Sequence, residues 1–162
     1  MVDHGPGGSL HVLIVDDDAS LRKLLATWLQ EGLGDVSVSE AGSLAEMREG
    51  LALRRPDVVL LDQTLSDGNG LAAARLLLAT DPDLDVVLVT GDADPALERT
   101  ALEAGVADFL LKGELGARVL GRCIRWVIRR RGDRGALAHR SITTARSCAT
   151  CPERWSPSMT AI

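Results

Sequence analysis

Short apolar runs alternate with amphipathic stretches from Leu10 to Arg131. The runs VVLL at 58–61 and VVLV at 86–89 contain no polar residue, which is typical of central strands covered on both faces. The stretches between such runs repeat apolar residues at three- and four-residue spacing, which favours helices packed on a sheet. The pattern predicts strands at 10–15, 35–39, 57–61, 85–89 and 107–111, and helices at 19–31, 43–54, 70–79, 94–104 and 114–131.

These elements form five successive βα units. Right-handed crossovers place the helices of such units on both faces of a parallel sheet, so the sequence predicts a doubly wound α/β fold. The helix starts agree: Asp18 is a suitable cap for the first helix, Ser43 and Glu46 form a capping box for the second, and Pro95 suits the first turn of the fourth. The residues expected to face the core from the first helix are Leu21, Leu24, Leu25 and Trp28.

The chain divides into one domain and two tails. Its 162 residues and 46% hydrophobic content suit a single core, which we place at residues 10–131. Residues 1–9 contain four Gly or Pro and are predicted to be a flexible leader. Residues 132–162 are rich in Gly, Ser, Thr, Ala and Arg without a clear period, and are predicted to be a mostly disordered tail.

Composition argues against several function classes. A net charge of −5 does not suggest direct nucleic-acid binding. No apolar run approaches the roughly 20 residues of a membrane span, and the first residues lack the basic and apolar regions of a signal peptide. We therefore expect a cytoplasmic protein. Cys148 and Cys151, with His139 and His11 as the nearest partners, make only a weak zinc or redox motif, which is not favoured.

Acidic residues end two of the predicted buried strands. Asp16 and Asp17 close the first and Asp62 closes the third, which brings them to the carboxyl edge of the sheet, where α/β proteins place their sites. Adjacent carboxylates raise each other's pKa unless a cation screens them, so these residues suggest Mg²⁺. Alternatively, the run from Asp16 to Asp18 merely caps the following helix.

Thr90 and Lys112 end the fourth and fifth predicted strands at the same edge. A carboxylate nucleophile, a metal pair, a hydroxyl and an ammonium are the groups that phosphoryl transfer needs. Taken singly, Thr90 also fits a strand-terminal turn and Lys112 a solvated helix start. Their occurrence in successive units favours phosphoryl chemistry.

The motifs VDDD, LLDQTLSDGNG, VLVTGDAD and ADFLLKGEL resemble those of the receiver domain of two-component response regulators, over about residues 10–131. The resemblance implies a flavodoxin-like, five-stranded parallel sheet in the order 2-1-3-4-5. It also implies the site roles: Asp62 as phosphoacceptor, Asp16, Asp17, Asp62 and the backbone carbonyl of Thr64 as Mg²⁺ ligands, Lys112 as the phosphate-binding lysine, Thr90 as the switch hydroxyl and Phe109 as the switch aromatic.

The implied function is a phosphorylation-dependent signalling switch. A sensor histidine kinase or a histidine phosphotransfer protein would donate the phosphoryl group, and the last two helices would then change their surface for a downstream protein or a second copy. The chain would catalyse only its own phosphorylation and dephosphorylation. Gly113 and Ser66 stand where most receivers carry Pro, and Phe109 replaces the commoner Tyr, while Thr64 and Asp92 occupy the positions that tune the acyl phosphate's lifetime.

The last predicted helix carries two stripes. The basic stripe is Arg118, Arg122, Arg125 and Arg129, and the apolar face is Val119, Leu120, Cys123, Ile124 and Val127. The basic stripe is either a solvated flank or part of a homodimer interface within residues 94–131, meeting Asp94, Glu98 and Glu103 of another copy. Trp126 and Ile128 lie outside the main apolar face, which favours some contact there.

Two other functions are compatible with an Asp beside Mg²⁺. A phosphatase or phosphotransferase of the haloacid dehalogenase type normally needs DxDxT after the first strand, whereas position 20 here is Ser. A receiver-like scaffold that is never phosphorylated would have no need of Asp16, Asp17, Asp62, Thr90 and Lys112 together.

Overall fold

The computed structural model describes residues 9–136. The elements are β1 (Leu10–Val15), α1 (Ala19–Leu33), β2 (Val36–Ala41), α2 (Leu44–Leu53), β3 (Val58–Asp62), α3 (Gly70–Thr80), β4 (Asp85–Thr90), α4 (Pro95–Ala104), β5 (Asp108–Leu111) and α5 (Ala117–Ala136). Two short features accompany them: a hairpin that pairs Thr64–Leu65 with Gly68–Asn69, and a 3₁₀ turn at Lys112–Glu114. The hairpin was not predicted from the sequence.

The five long strands form one parallel sheet in the order β2-β1-β3-β4-β5. Val12 lies opposite Val58 in the β1–β3 pair, Leu61 opposite Leu88 in the β3–β4 pair, and Leu88 opposite Phe109 in the β4–β5 pair. The doubly wound α/β fold is therefore confirmed, and the carboxyl ends of β1, β3, β4 and β5 lie side by side.

Alternate side chains of the strands face two separate apolar layers. One face packs against α1 and α5, and the other packs against α2, α3 and α4. The first layer includes Val12, Ile14, Leu60, Val87, Leu25, Leu29, Leu120 and Ile124. The second includes Leu13, Val15, Leu61, Leu88, Met47, Ala74 and Ala101. The strands lack a polar face because both of their faces are covered.

The predicted caps at Asp18 and Ser43 are confirmed, but Glu46 Oε1 accepts the N–H of Gly42 at 2.6 Å rather than that of Ser43, so the return bond of the capping box is displaced by one residue. The side chain of Asp18 accepts the N–H groups of Ser20 and Leu21 at 2.9 and 3.2 Å, and Ser43 Oγ accepts that of Glu46 at 3.1 Å. Pro95 is the first residue of α4. None of the helices within residues 9–136 is long and apolar enough to cross a membrane.

The last helix differs from the prediction at both ends. It begins at Ala117 rather than at 114, because Gly113 and Gly116 weaken helix formation and the chain first makes the 3₁₀ turn. It continues to Ala136, so residues 132–136 extend the helix beyond the predicted end of the domain. The rest of the predicted tail, at 137–162, and residues 1–8 of the predicted leader lie outside the described residues.

Helix α1 packs on the core through three of its four predicted residues, with Leu25 buried and Leu21 and Trp28 partly buried against the same layer. Leu25 and Leu29 are buried, whereas Leu24 is 43% exposed, so its assignment to the core was wrong. Helix α5 packs closely against the same side of α1. A Cβ atom at Gly32 would lie 2.4 Å from the carbonyl oxygen of Ala117, so the two helices can approach this closely only with glycine at position 32. The face of α1 that meets the core and α5 therefore contains Leu25, Leu29 and Gly32, which are spaced by four and three residues. Leu24 lies about 100° around the helix axis from Leu25.

The carboxyl-terminal part of α5 forms ion pairs with residues at the amino edge of the sheet. Arg131 Nη1 lies 3.4 Å from Asp57 Oδ1, and Arg131 Nη2 lies 2.6 Å from Asp85 Oδ2. Both carboxylates are buried where β3 and β4 begin. Asp57 also accepts the backbone N–H of His11 at 2.8 Å. These charge-assisted bonds join the carboxyl-terminal part of α5 to three strands at the edge opposite Asp16 and Asp62.

Another buried carboxyl, that of Asp108, lies between β5 and α5. Asp108 has no solvent exposure, accepts the backbone N–H of Phe109 at 2.8 Å, and lies 3.2 Å from Cys123 Sγ, which donates to it. Burial raises the pKa of Asp108 to about 6, despite these hydrogen bonds and the nearby charge of Arg130. Burial and the adjacent carboxyl also raise the pKa of the Cys123 thiol.

We expect Asp108→Asn to stabilise the domain increasingly as the pH rises. Asp108 has a raised pKa in the folded state, so its ionisation costs folding free energy that grows from pH 3.8 to about 6 and is constant above that. The stability gain of the variant should therefore be larger at pH 8 than at pH 5 by about 1 kcal/mol. Urea unfolding of both proteins at the two pH values measures it, and an equal gain at both would contradict the assignment.

Candidate functional site

Three carboxylates meet at the carboxyl edge of the sheet. Asp62 is the last residue of β3, and Asp16 and Asp17 directly follow β1, as predicted. Asp16 and Asp62 are 2% and 4% exposed, while Asp17 lies at the surface. One carboxylate oxygen from each of the three lies within 4.8 Å of the others. The buried pair thus forms the floor of a small acidic site that opens to solvent beside Asp17.

Lys112 joins the two buried carboxylates. Its Nζ lies 3.2 Å from Asp16 Oδ2 and 3.1 Å from Asp62 Oδ1. The residue is the first of the 3₁₀ turn that follows β5, so the turn directs its side chain back across the sheet edge. The lysine predicted from the end of the fifth strand therefore lies with the predicted acidic residues, and it is not the solvated helix start that the sequence also allowed.

The electrostatics of the site follow from these contacts. Burial, followed by the charge of Asp16, raises the pKa of Asp62, and the hydrogen bond and charge of Lys112 oppose that rise. For Lys112, burial acts to lower the pKa, but the hydrogen bonds and charges of Asp62 and Asp16 outweigh it and raise the pKa. The ammonium therefore stays charged and compensates part of the repulsion between the carboxylates.

Arg22 holds the backbone of Asp16, a role that the sequence did not indicate. Arg22 Nη1 donates to the carbonyl oxygen of Asp16 at 2.7 Å, and Arg22 Nε pairs with Glu40 Oε1 at 3.1 Å. On the other side, Asp16 Oδ1 accepts the backbone N–H of Asp18 at 2.8 Å. Asp18 therefore caps α1, as the alternative interpretation of the acidic run predicted, while Asp16 faces Lys112.

The backbone after Asp62 is held close to α3. Gln63 N–H donates to the carbonyl of Val89 at 2.8 Å, and Gly70 N–H donates to the carbonyl of Gln63 at 2.8 Å. A Cβ atom at Gly70 would lie 2.2 Å from the carbonyl oxygen of Asp62, so this approach requires glycine. The Thr64 N–H also faces the Asp62 side chain, with Thr64 N 3.4 Å from Asp62 Oδ1.

Thr90 ends β4 and Phe109 lies on β5, as predicted, but the contacts of these two side chains are outside the acidic site. Thr90 ends β4, is buried, and its Oγ1 accepts the backbone N–H of Asp92 at 3.2 Å, which is the strand-terminal turn considered above. Phe109 is 7% exposed on β5. It lines a cavity of about 410 Å³ between α4, β5 and α5, together with Asp94, Glu98, Asp108, Arg122 and Trp126.

The donor set fits a hard divalent cation. Three carboxylates supply oxygen atoms of the type that Mg²⁺ prefers, and Asp17 keeps the site open to water, which Mg²⁺ retains as a ligand. Backbone carbonyls are ligands of the same kind, so Thr64 is compatible with the set.

The predicted zinc candidates give no site within the described residues. Cys148, Cys151 and His139 lie outside residues 9–136. His11 lies on β1, is 4% exposed, and its Nε2 is 2.8 Å from Ser39 Oγ. Burial lowers the pKa of His11, and the charge of Arg54 lowers it further.

The two stripes of α5 are partly used within the chain. Leu120, Cys123, Ile124 and Val127 are buried as predicted, but Val119 is 36% exposed. Arg125 Nη1 donates to the carbonyl oxygen of Gly32 at 2.8 Å and so binds the end of α1. Trp126 and Ile128 pack against the core layer of α1 and α5, and the guanidinium of Arg130 lies 4.8 Å from the Trp126 ring centroid.

Comparison with curated proteins identifies similar sequences among bacterial regulators. Residues of this chain are 37% identical over 101 positions to the C4-dicarboxylate transport transcriptional regulatory protein DctD of Rhizobium meliloti (strain 1021), covering 62% of this chain and 22% of that protein. They are 38% identical over 120 positions to the DNA-binding response regulator MtrA of Mycobacterium leprae (strain TN), covering 70% of this chain and 51% of that protein. The chain thus spans about a fifth to a half of these relatives.

Comparison with solved structures gives the same fold. The response regulator receiver domain protein (CheY-like) of Methanospirillum hungatei JF-1 aligns with a TM-score of 0.71 at 22% identity, covering 78% of this chain and 99% of that one. The family model of the response regulator receiver domain matches residues 12–121, which include Asp16, Asp17, Asp62, Thr90 and Lys112. The chain therefore belongs to the family of response regulator receiver domains.

Proposed function

We propose that this receiver domain is a phosphorylation-dependent switch in which Asp62 accepts a phosphoryl group from a phosphohistidine. The donor would be a sensor histidine kinase or a histidine phosphotransfer protein in the cytoplasm. The observation that carries the proposal is the contact of Lys112 with both Asp16 and Asp62 at the open edge of the sheet. The family match favours this function over the phosphatase, and the contact of Lys112 with both buried carboxylates favours it over the unphosphorylated scaffold.

In the proposed reaction, an Asp62 carboxylate oxygen attacks the phosphorus atom of the donor. A P–O bond forms, the P–N bond breaks, and its electron pair returns to the imidazole nitrogen, which leaves an acyl phosphate on Asp62. Lys112, placed 3.1 Å from Asp62 Oδ1, would neutralise negative charge on the transferred group. Mg²⁺ bound by Asp16, Asp17, Asp62 and the Thr64 carbonyl would supply further charge neutralisation. The chain's own chemistry would be limited to gaining and losing this group.

The response would pass through Thr90 and Phe109. The Thr90 hydroxyl, which accepts the N–H of Asp92, would exchange that bond for one to the phosphoryl group. Phe109 has no hydroxyl and lines the cavity between α4, β5 and α5, so any switch at this residue would act through packing. The surface of α4 and α5 would then differ between the two states, for recognition by a downstream protein.

Replacing the acceptor gives the first test. We expect Asp62→Asn to remain unmodified by phosphoramidate and Mg²⁺, because the amide lacks the nucleophilic carboxylate. Intact-mass spectrometry of the wild-type chain should show a single added phosphoryl group. Asp35→Asn, at an exposed position just before β2, controls for the loss of a carboxylate elsewhere. A modified Asp62→Asn chain would place the acceptor elsewhere.

Removing the ammonium tests the electrostatics of the acceptor. We expect Lys112→Met to raise the pKa of Asp62 further, because the hydrogen bond and the charge that oppose the rise are lost. Carboxyl-carbon NMR titration of the metal-free protein measures this pKa. Lys23→Met removes the chain's other lysine, which is exposed on α1, and should leave the titration unchanged. An equal titration of Asp62 in all three proteins would contradict the role of Lys112.

We further propose that phosphorylation promotes a homodimer through residues 94–131. Arg122 and Glu98 both line the cavity between α4 and α5, so a two-fold axis beside it would bring the Arg122 of each copy to the acidic α4 of the other. Arg125, another residue of the basic stripe, is bonded to the carbonyl oxygen of Gly32 and would therefore contribute less to the dimer interface. The basic stripe therefore narrows to Arg118, Arg122 and Arg129 as the residues available to a second copy.

A charge exchange tests this interface. With beryllofluoride as phosphoryl analogue, the wild-type chain should be dimeric by light scattering, and Arg122→Glu and Glu98→Arg should each be monomeric, because each places like charges opposite one another. An equimolar mixture of the two variants should recover the dimer, since both contacts are then complementary. Monomeric wild-type protein with and without the analogue would exclude the dimer.

A further inference from the structure

The hairpin that follows the acceptor strand is fastened at its tip to a different helix. Thr64 pairs with Asn69 and Leu65 with Gly68, so Ser66 and Asp67 form the turn. The side chain of Asp67 reaches the start of α2, where Oδ1 accepts the N–H of Leu44 at 3.0 Å and Oδ2 accepts the N–H of Ala45 at 3.2 Å. The two oxygens thus bind two successive backbone amides.

Asp67 completes the cap of α2 from 22 residues away in the sequence. The first N–H groups of a helix have no partner within the helix, and Ser43 supplies one for Glu46 only. The hydrogen bond from the Leu44 N–H lowers the pKa of Asp67 against an opposing rise from burial, and the bond from the Ala45 N–H adds to the lowering. Asp67 is therefore ionised at neutral pH and adds a negative charge at the positive end of the helix.

The base of the same hairpin lies at the acceptor. The Thr64 N–H faces Asp62 Oδ1 at 3.4 Å, and the Gly70 N–H donates to the carbonyl of Gln63. A two-stranded hairpin of this length is only marginally stable by itself. Ser66, unlike proline, leaves the backbone of the turn unrestricted. Hydrogen bonds therefore hold the hairpin at two places, at its base beside Asp62 and at its tip against the start of α2.

The hairpin also packs directly on α2. A Cβ atom at Gly68 would lie 2.5 Å from Leu44 Cδ1, so the second strand of the hairpin touches the first residue of the helix. Leu65 is 6% exposed and joins the core layer that contains Leu44 and Met47. The Asp67 bonds thus set the position of a segment that already has a packing surface.

We propose that Asp67 is a positioning residue for phosphoryl transfer. Its bonds to the start of α2 fix the hairpin, and the hairpin in turn fixes the Thr64 backbone beside the Asp62 carboxylate, where the metal and the phosphoryl group are received. This assignment rests on the proposed function of Asp62. Helix α2 supplies no residue to the acidic site, but through Asp67 it would hold the hairpin that follows Asp62. This contact would compensate for Ser66, which stands where most receivers carry Pro.

The test compares Asp67→Ala with Ser43→Ala in the full chain. Both remove a cap from α2, but only Asp67 connects that helix to the hairpin, so Ser43→Ala controls for weakening of the helix. For Asp67→Ala we expect the Mg²⁺ dissociation constant, measured by calorimetry, to rise roughly tenfold, as is typical when support behind metal ligands is lost. Phosphorylation by phosphoramidate at a fixed, non-saturating Mg²⁺ concentration should slow in parallel.

A second readout does not depend on metal or phosphate. Amide hydrogen exchange from Thr64 to Asn69 in the metal-free chain should be faster in Asp67→Ala and unchanged in Ser43→Ala. Asp67→Asn keeps an oxygen acceptor for one N–H and should recover part of the Mg²⁺ affinity. The positioning role is overturned if Asp67→Ala and Ser43→Ala have equal Mg²⁺ affinity, phosphorylation rate and hairpin exchange. That result would leave Asp62 as acceptor, whereas phosphorylation of Asp62→Asn would remove the proposed function itself.

Discussion

The site depends on the repulsion between two buried carboxylates and on the single ammonium that offsets it. Asp16 and Asp62 approach each other because β1 and β3 are hydrogen-bonded neighbours whose ends coincide. Burial makes their charge costly, and Lys112 reaches both from the end of β5. Three contacts fix the positions of these side chains. Arg22 binds the carbonyl of Asp16, Gly70 lies close to the carbonyl of Asp62, and the 3₁₀ turn directs Lys112 inward. The edge of the sheet thus brings together three carboxylates and one ammonium, an arrangement with an excess of acidic groups.

Most of the fold follows from the order of polar and apolar residues along the chain. Strands buried on both faces are continuous apolar runs, so VVLL and VVLV identify themselves, and the caps Asp18 and Ser43 mark where helices begin. The ends of those runs also locate Asp16, Asp62 and Lys112, because parallel strands deliver their last residues to one edge. These features are local in the sequence, which is why they were predictable.

The features that were missed depend on contacts that form only in the folded chain. Arg22 and Asp67 look like ordinary surface charges in the sequence, and their partners are backbone atoms that only the folded chain brings near. Leu24 has the same character as Leu25, and only the close contact between Gly32 and Ala117 decides which of the two is covered. Likewise, nothing local distinguishes Arg125, bonded to Gly32, from the other arginines of its stripe. Backbone hydrogen bonding and helix contact leave no periodic signature.

The ion pairs of Arg131 with Asp57 and Asp85 determine how α5 can move. They fix the helix at a point below the sheet, while its first turns border the cavity beside Phe109. A displacement that keeps these pairs leaves the helix in place near Arg131. The start of α5 is held separately, because Ala117 lies against Gly32 and Arg125 is bonded to the Gly32 carbonyl. The helix is therefore held by α1 near its start and by β3 and β4 near its end, and the part of it that borders the cavity lies between these two points.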